Sequence, residues 1–268
     1  MSLRINTNVE AFNAHRNLSG TSDKIAKSME RLSSGLRINR ASDDAAGLAI
    51  SEKMRGQIGG LDQAKRNAQD GISLVQTAEG SLTEVHSILQ RVRTLAVQYQ
   101  NGTVGTKDKE AIDSEVKQLT TELEAVGTRA EFNGTKLLNA TGTVTFQVGA
   151  NGGETTTVAL VSLGTTLGAS VAGLTTLASS SIASIDAAIE SVSKVRADFG
   201  AVQNRLEHTL NNLSVYQENL TSSESRIRDV DMANEMVSLT KNQVLSQAGT
   251  AILSQANQAS QGVLSLLR

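Results

Sequence analysis

The chain has 268 residues with 25 basic and 27 acidic side chains, and it contains no proline, cysteine or tryptophan. The near-neutral balance argues against a general nucleic-acid surface, and the lack of cysteine excludes disulfides, thiolate metal sites and cysteine nucleophiles. Because only four phenylalanines and two tyrosines are present, the core must be aliphatic, and the absence of proline suits long uninterrupted helices.

The N-terminal segment is amphipathic, and its spacing predicts a helix over residues 5–36. Its apolar side chains recur at helical spacing with one phase shift, and they are Ile5, Val9, Phe12, Leu18, Ile25, Met29, Leu32 and Leu36. Gly35 indicates the end of this helix. Ser42 is predicted to be the N-cap of the next helix, with Asp43 and Asp44 in a first turn where the helix dipole favours acidic groups.

The second predicted helix runs from about Asp43 to Gln100 and carries the most regular pattern in the chain. Two rows repeat every seven residues, and they are Leu61, Ala68, Val75, Leu82, Leu89 and Ala96, and Ala64, Gly71, Ala78, Val85, Val92 and Tyr99. A seven-residue repeat keeps one face of a helix against a partner helix, so this segment predicts a coiled-coil rod. Gly59 and Gly60 predict a bend or a close backbone approach.

A shorter third helix is predicted from Lys107 to about Gly127, with Thr106 as its cap, and Asn133-Gly134 predicts a turn. The pattern then changes to alternation, with Val144, Phe146 and Val148 before the turn Asn151-Gly152-Gly153 and Val158 and Leu160 after it. Alternation of this kind predicts a β-hairpin. Residues 162–180 are rich in small and polar side chains and are predicted to be a loop.

A second seven-residue repeat runs from Ser181 to about Val230 and matches the first in length and kind. Its rows are Ile185, Val192, Phe199, Leu206, Leu213, Leu220 and Ile227, and Ala188, Val195, Val202, Thr209, Tyr216, Ser223 and Val230. We expect the two rods to lie side by side and to bury each other's apolar rows.

The last segment is amphipathic again. Its apolar side chains at helical spacing are Val244, Ala248, Ile252, Ala256, Ala259, Val263 and Leu267. The sequence is thus divided into an N-terminal arm (1–42), rod helices (43–140), a hairpin with a short variable insert (141–180), a second rod helix (181–230) and a C-terminal arm (231–268). The predicted fold is mainly α, with long antiparallel coiled-coil rods and one β-hairpin insert flanked by two amphipathic terminal arms. The apolar stripes of the arms are the candidate contacts between subunits.

The sequence gives no reason to expect an enzyme, a cofactor or a metal. His15, His86 and His208 lie far apart, without the paired spacing of a metal site. Asp43-Asp44 could form an acid/base pair, but as acidic groups at a helix start these residues need no such role. No run of about 18 apolar residues and no basic segment followed by an apolar one is present, so neither a membrane span nor a cleaved signal peptide is predicted.

Several motifs resemble bacterial flagellin, the subunit of the flagellar filament, over about residues 1–140 and 181–268. They are Leu3-Arg4-Ile5-Asn6-Thr7-Asn8, Leu32-Ser33-Ser34-Gly35-Leu36-Arg37-Ile38-Asn39, Asp43-Asp44-Ala45-Ala46-Gly47-Leu48-Ala49-Ile50, Asn204-Arg205-Leu206, Glu224-Ser225-Arg226-Ile227-Arg228-Asp229-Val230-Asp231-Met232-Ala233 and Leu264-Ser265-Leu266-Leu267. Only the short segment 141–180 stands where many flagellins carry large outer domains.

The resemblance implies a structural protein that polymerises with itself for motility, outside the cell, after export through the flagellum's own channel. It also implies a secretion chaperone on the C-terminal arm, contacts with flagellar cap and junction proteins, and no binding to nucleic acid or membrane. Arg91, Leu95 and Gln98 form a strip that spacing alone predicts to be a solvated face; with Glu115 they match the positions read by the Toll-like innate receptor for flagellin. Thr94 replaces the glutamate usual in that strip, and Ser260 replaces a proline common in the last arm.

Two alternatives remain open at the level of sequence. A hook-filament junction protein has similar arms, and a monomeric secreted coiled-coil binding protein has similar rods. The matches at both ends and the small insert favour a filament subunit over a junction protein, and polymerisation from seeds distinguishes a filament subunit from the monomeric protein.

Overall fold

The structure is a computed structural model that describes residues 8–164 and 181–266, with side chains in the second range described from 182 to 258. The helices are α1 Val9–Ser34, α2 Ala45–Tyr99, α3 Thr106–Arg129, α4 Ser181–Arg228 and α5 Met232–Leu266, and the strands are β1 Glu131–Phe132, β2 Thr135–Lys136, β3 Asn139–Gln147 and β4 Thr155–Ser162. The chain forms two compact units. We call Met1–Gly56 with Asn219–Arg268 the arm unit, and Gln57–Glu218 the rod unit.

The rod unit is built on α2 and α4, which run antiparallel as expected. Arg93 pairs with Asp186 at 2.6 Å near one end, and Gln217 donates a hydrogen bond to Asp62 at 2.6 Å near the other. The two predicted rows of α2 are buried, apart from the half-buried Tyr99. The heptad pattern therefore identified the principal packing surface of the rod.

On α4 the first row is buried from Ile185 to Leu213, but the prediction for the second row is wrong at Tyr216, which is 46% exposed. A straight α-helix drifts by roughly 20° for each seven-residue repeat. The row that starts at the buried Ala188 is only half-buried at Val195 and Val202, and by Tyr216 it has turned out of the interface.

The third helix completes the core of the rod unit. Ile112, Val116 and Leu123 of α3 belong to the same buried cluster as Leu89 of α2 and Val192 of α4. The rod unit is therefore a packed three-helix body.

The hairpin confirms the predicted change of period. β3 and β4 pair antiparallel with Val144 opposite Val158, and the turn between them lies against α2. A Cβ placed on Gly60 would lie 3.2 Å from the Cα of Ala150, whereas one on Gly59 would meet nothing within 4 Å. The predicted close approach is thus confirmed at Gly60, and α2 continues through both glycines without a break.

The sequence also predicted the turn at Asn133-Gly134, where β1 and β2 meet. Both residues have positive φ, 47° for Asn133 and 79° for Gly134. Asparagine followed by glycine is favoured in two-residue hairpin turns because both positions need a left-handed backbone.

Two predicted helix caps are wrong. Asp44, not Ser42, caps α2 by accepting a hydrogen bond from the backbone N–H of Gly47 at 2.8 Å. Ser42 lies two residues too early, because it is part of a separate turn in which the backbone N–H of Asp43 donates to the carbonyl of Arg40 at 3.0 Å. Thr106 lies inside α3, and the residue at the cap position is Gly105, which offers no side-chain acceptor.

Candidate subunit interface

The arm unit is an antiparallel pair of helices, α1 and α5. Arg31 forms an ion pair with Glu235 at 3.6 Å, and Leu18 packs at 3.4 Å from the Cβ position of Gly249. Asn8 caps α1 by accepting from the Ala11 N–H at 3.0 Å, and its amide donates to the Ala256 carbonyl at 2.9 Å. These contacts align the two helices over most of the length of α1.

The surface between α1 and α5 is made mainly of small and polar side chains, with a minority of leucine and isoleucine. The most buried residues of the pair are Ser28, Leu239 and Asn242, at 4%, 6% and 8% exposure. Half-buried residues continue the same faces at spacings of three and four, and they are Ala11, Ala14, Leu18, Thr21 and Ile25 on α1 and Ser246, Gly249, Leu253 and Ala256 on α5. The pair therefore buries little apolar surface for its length.

Many large apolar side chains of the arm unit are exposed. Exposed ones in the arm unit are Val9, Phe12, Met29, Ile50, Met232, Met236, Val237, Val244, Leu245 and Ile252. Elsewhere in the described residues, exposure of large apolar side chains is confined to Val97, Val215 and Tyr216. Phe12 and Val237 are both 70% exposed. We call the exposed apolar residues of α1 and α5 the outer face; a concentration of exposed apolar side chains indicates an interaction site.

The structure divides the predicted stripes of the arms between two surfaces. Val9, Phe12, Met29, Val244, Ala248 and Ile252 are exposed, and Leu18, Ile25, Leu32, Leu36 and Ala256 are half-buried. Ile5 and Leu267 lie outside the described residues, and the side chains of Ala259 and Val263 lie outside the described side chains. The role of these residues in subunit contact stays a prediction.

Sequence reasoning missed four members of the outer face, which are Met232, Met236, Val237 and Leu245. A seven-residue spacing links Val237 to Val244 and Leu245 to Ile252. That spacing was the available signal, and it indicates a broad apolar surface in place of a single stripe.

We call residues 35–44 and 227–231 the clasp, because hydrogen bonds link the segment that connects α1 to α2 with the segment that connects α4 to α5. The backbone N–H of Arg37 donates to the carbonyl of Arg228 at 2.7 Å, and that of Val230 donates to the carbonyl of Gly35 at 3.0 Å. The side chain of Arg228 is only 12% exposed and pairs with Glu52 at 2.5 Å. The clasp thus holds the start of α2 beside the end of α4.

Carboxylates in and beside the clasp are stabilised in the charged form. The hydrogen bond from Arg228 lowers the pKa of Glu52 below its usual value of 4.5. Backbone N–H donors do the same elsewhere: that of Arg40 lowers the pKa of Asp43, and that of Asn234 lowers the pKa of Asp231. Each of these carboxylates accepts its hydrogen bonds more strongly when it is ionised.

The strip on the rod unit differs from the prediction at its central residue. Arg91 is exposed and lies 2.6 Å from the half-buried Glu115, and Gln98 is exposed as well. Leu95 is only 2% exposed and belongs to the core cluster that contains Ile112 of α3. The prediction that Leu95 lies on a solvated face is therefore wrong, because α3 covers it.

The described residues offer no built chemical site. No group of three or more histidine, aspartate or glutamate side chains is placed to hold a metal ion among them. No helix within this part of the chain combines the length and the apolar character needed to cross a bilayer. Among the described residues, the exposed apolar side chains of the outer face indicate that this surface binds a partner.

Two family models match the chain and together cover most of it. The model described as the bacterial flagellin N-terminal helical region matches residues 5–143, and the one described as the bacterial flagellin C-terminal helical region matches residues 182–267. The chain belongs to the bacterial flagellin family.

Relatives of this flagellin match it over nearly its full length. A flagellin from Halalkalibacterium halodurans is 56% identical, with 98% of this chain and 99% of the relative covered. The flagellar filament 33 kDa core protein of Treponema phagedenis is 47% identical over the same shares of both chains. The crystal structure of a Bacillus cereus flagellin is 32% identical, has a TM-score of 0.51, and covers 55% of this chain and 88% of that one.

Proposed function

We propose that this flagellin is the structural subunit of a helical flagellar filament for motility, and that the arms, residues 1–42 and 231–268, provide the principal contacts between subunits. The observation that carries this is the arrangement of the helix pair, which turns mainly small and polar residues inward and leaves nine large apolar residues exposed. A chain that stayed monomeric would gain more by the opposite arrangement.

The free energy available from covering the outer face is comparable to the free-energy cost of association. Fully burying a large apolar side chain is worth about 1.5–3 kcal/mol. The nine residues of the outer face are about half to two-thirds exposed, so covering all of them gives roughly 10 kcal/mol. Association costs about 4–15 kcal/mol. A neighbour must therefore cover most of the face, and repeated heterologous contacts of this kind build an open helical polymer.

The test is seeded polymerisation followed by electron microscopy. The unaltered chain is expected to extend filament fragments. Val237→Ser and Val244→Ser are expected to raise the critical concentration, while circular dichroism of the soluble subunit stays the same because both side chains are exposed. Gln243→Ser is the matched control, since Gln243 is the exposed neighbour of Val244 on α5.

Absence of any filament from seeds would refute the proposal and favour a junction protein or a monomeric binding protein. Equal effects of Gln243→Ser and Val244→Ser would refute the assignment to the outer face.

Partners follow from the same surface. An exposed apolar face needs cover before assembly, so we expect a secretion chaperone on the C-terminal arm. Membership of the flagellin family supports export through the flagellum's own channel. The cap and junction proteins at the two ends of a filament would meet this face as neighbouring subunits do.

A host innate receptor of the Toll-like class is the remaining proposed partner. Arg91, Gln98 and Glu115 offer it an exposed polar surface. Leu95 supports this surface from beneath and would contribute through the position of α2 and α3, not by direct contact.

A further inference from the structure

The methionines of this chain are unusually open to solvent. Four of the five lie in the described residues, and three of these are exposed: Met29 by 53%, Met232 by 51% and Met236 by 51%. The fourth, Met54, is half-buried. Methionine usually fills gaps in a core. Here its thioethers lie on the outer face of the arm unit, where they can react.

The three exposed methionines lie at one level of the helix pair. The ion pair between Arg31 and Glu235 aligns α1 with α5 at this level. Since each residue adds about 1.5 Å along a helix, the Cα atoms of Met29, Met232 and Met236 fall within about one and a half helical turns along the pair. Val237, exposed by 70%, adjoins them in the sequence.

We infer that Met29, Met232 and Met236 form an oxidation-sensitive patch that decides whether a free subunit can enter the filament. The inference rests on the proposed function, because it requires that a neighbour cover this part of the outer face. In the free subunit the patch is open to small oxidants, and in the filament it is covered.

The reaction is a two-electron oxygen transfer from a hydroperoxide, for which hydrogen peroxide is the simplest case. The thioether sulfur attacks one peroxide oxygen, the O–O bond breaks and an S=O bond forms. The proton of the transferred oxygen passes to the departing oxygen, which leaves as water. Sulfur is oxidised, the peroxide is reduced, and sulfoxide reductases can reverse the change.

The sulfoxide changes what the neighbour must accommodate. An apolar, flexible side chain becomes polar and carries a strong hydrogen-bond acceptor. A polar group that is covered without a partner is costly. Oxidation of the patch should therefore block addition of the subunit while leaving the subunit folded, because these side chains are not part of its core.

The experiment treats purified subunits with hydrogen peroxide, removes the peroxide, and measures the critical concentration for growth from untreated seeds. We expect a rise of roughly tenfold or more, the effect of burying a polar group without a partner, and peptide mass spectrometry should find sulfoxide at the three sites ahead of Met54. Oxidised subunits that assemble with an unchanged critical concentration would overturn the inference. Untreated subunits that fail to grow seeds would instead overturn the proposed function.

Two controls separate the patch from general damage. A Met29→Leu, Met232→Leu and Met236→Leu triple variant conserves volume and should assemble with or without peroxide treatment. Met54→Leu keeps the patch and should remain sensitive. Peroxide sensitivity of the triple variant equal to that of the unaltered chain would refute the patch.

A further measurement needs no variant. Partly oxidised subunits are allowed to assemble, and the filament and supernatant fractions are analysed peptide by peptide. Sulfoxide at the patch should be enriched among the subunits left in solution. An equal sulfoxide content in both fractions would refute the inference.

Discussion

Replacement of Leu95 by alanine tests the assignment of the α2 face beneath α3. Leu95 is 2% exposed and shares a core cluster with Ile112 and Val116. Removing a buried leucine side chain costs about 2–5 kcal/mol, since the lost burial is joined by the cavity left behind. For a chain of this size, a loss of that order lowers the Tm by roughly 5–15 °C.

Val97 supplies a matched control two residues further along the same helix. It is 52% exposed, so Val97→Ala should cost about 0.5 kcal/mol or less. Arg91→Ala removes only an exposed ion pair and should cost less than about 1 kcal/mol. The ranking of the three variants follows from burial alone.

The assay is urea unfolding of each variant, followed by far-UV circular dichroism under identical conditions. Leu95→Ala should move the midpoint clearly, and the two other variants should stay close to the unaltered chain. Similar losses for Leu95→Ala and Val97→Ala would refute the burial of Leu95 under α3. A receptor assay on the same variants then separates folding from contact: Leu95→Ala should affect recognition only as far as it loosens the rod.

Three further outcomes are expected. Gly59→Ala should stabilise the rod by about 0.5–1 kcal/mol in thermal unfolding, because a glycine is removed from a helix interior. Gly60→Ala should give no such gain, because its methyl group meets the hairpin turn. Equal gains from the two variants would contradict the close approach at Gly60. The Arg228 hydrogen bond lowers the pKa of Glu52, so the stabilisation from this pair is present above the usual pKa of 4.5 and is lost as the pH falls below it. The Tm difference between the unaltered chain and Glu52→Gln should therefore shrink from pH 7 to about pH 3.5. A constant difference would exclude this role. Deletion of residues 1–36 should leave a folded rod by circular dichroism but no filaments by electron microscopy, and filaments from the truncated chain would show that the N-terminal arm is dispensable.

The rod and the hairpin could be predicted from the sequence because each has one dominant period. The rows through Leu61 and Ile185 repeat every seven residues and are buried where the helices meet. Alternation around Val144 and Val158 gave the hairpin and its pairing. In both cases hydrophobic burial against a single neighbour explains the pattern.

Leu95 was misplaced because α2 has two neighbours. Its two predicted rows face α4. A third row repeats every seven residues through Leu74, Ser81, Ile88 and Leu95, and its three apolar members pack in the cluster that α3 completes. A repeat that identifies one packing surface of a helix does not identify a second surface beside it when a polar residue such as Ser81 interrupts the second row.

The arms show a different limit. Apolar periodicity points to the surface with the strongest hydrophobic driving force, and here much of that surface faces outward. The inner contacts of Ser28, Asn242 and Gly249 depend on size and close approach, which a hydrophobic pattern does not register. The sequence could therefore predict that each arm is an amphipathic helix, but not which face each arm turns to the other.

The closure of the arm unit also sets an order of events for the whole chain. Asn8 and Ala256 share a hydrogen bond across 248 positions, and Arg37 and Ile227 share another across 190. Contacts so distant in sequence form late, because the loop between them must be closed first. During synthesis, or during any transport that delivers the N-terminal end first, α1 cannot pair with α5 until nearly all other residues have emerged. A closed arm pair therefore requires both α1 and the last helix, and under the proposed function a chain truncated before the last helix should not be added to a growing filament.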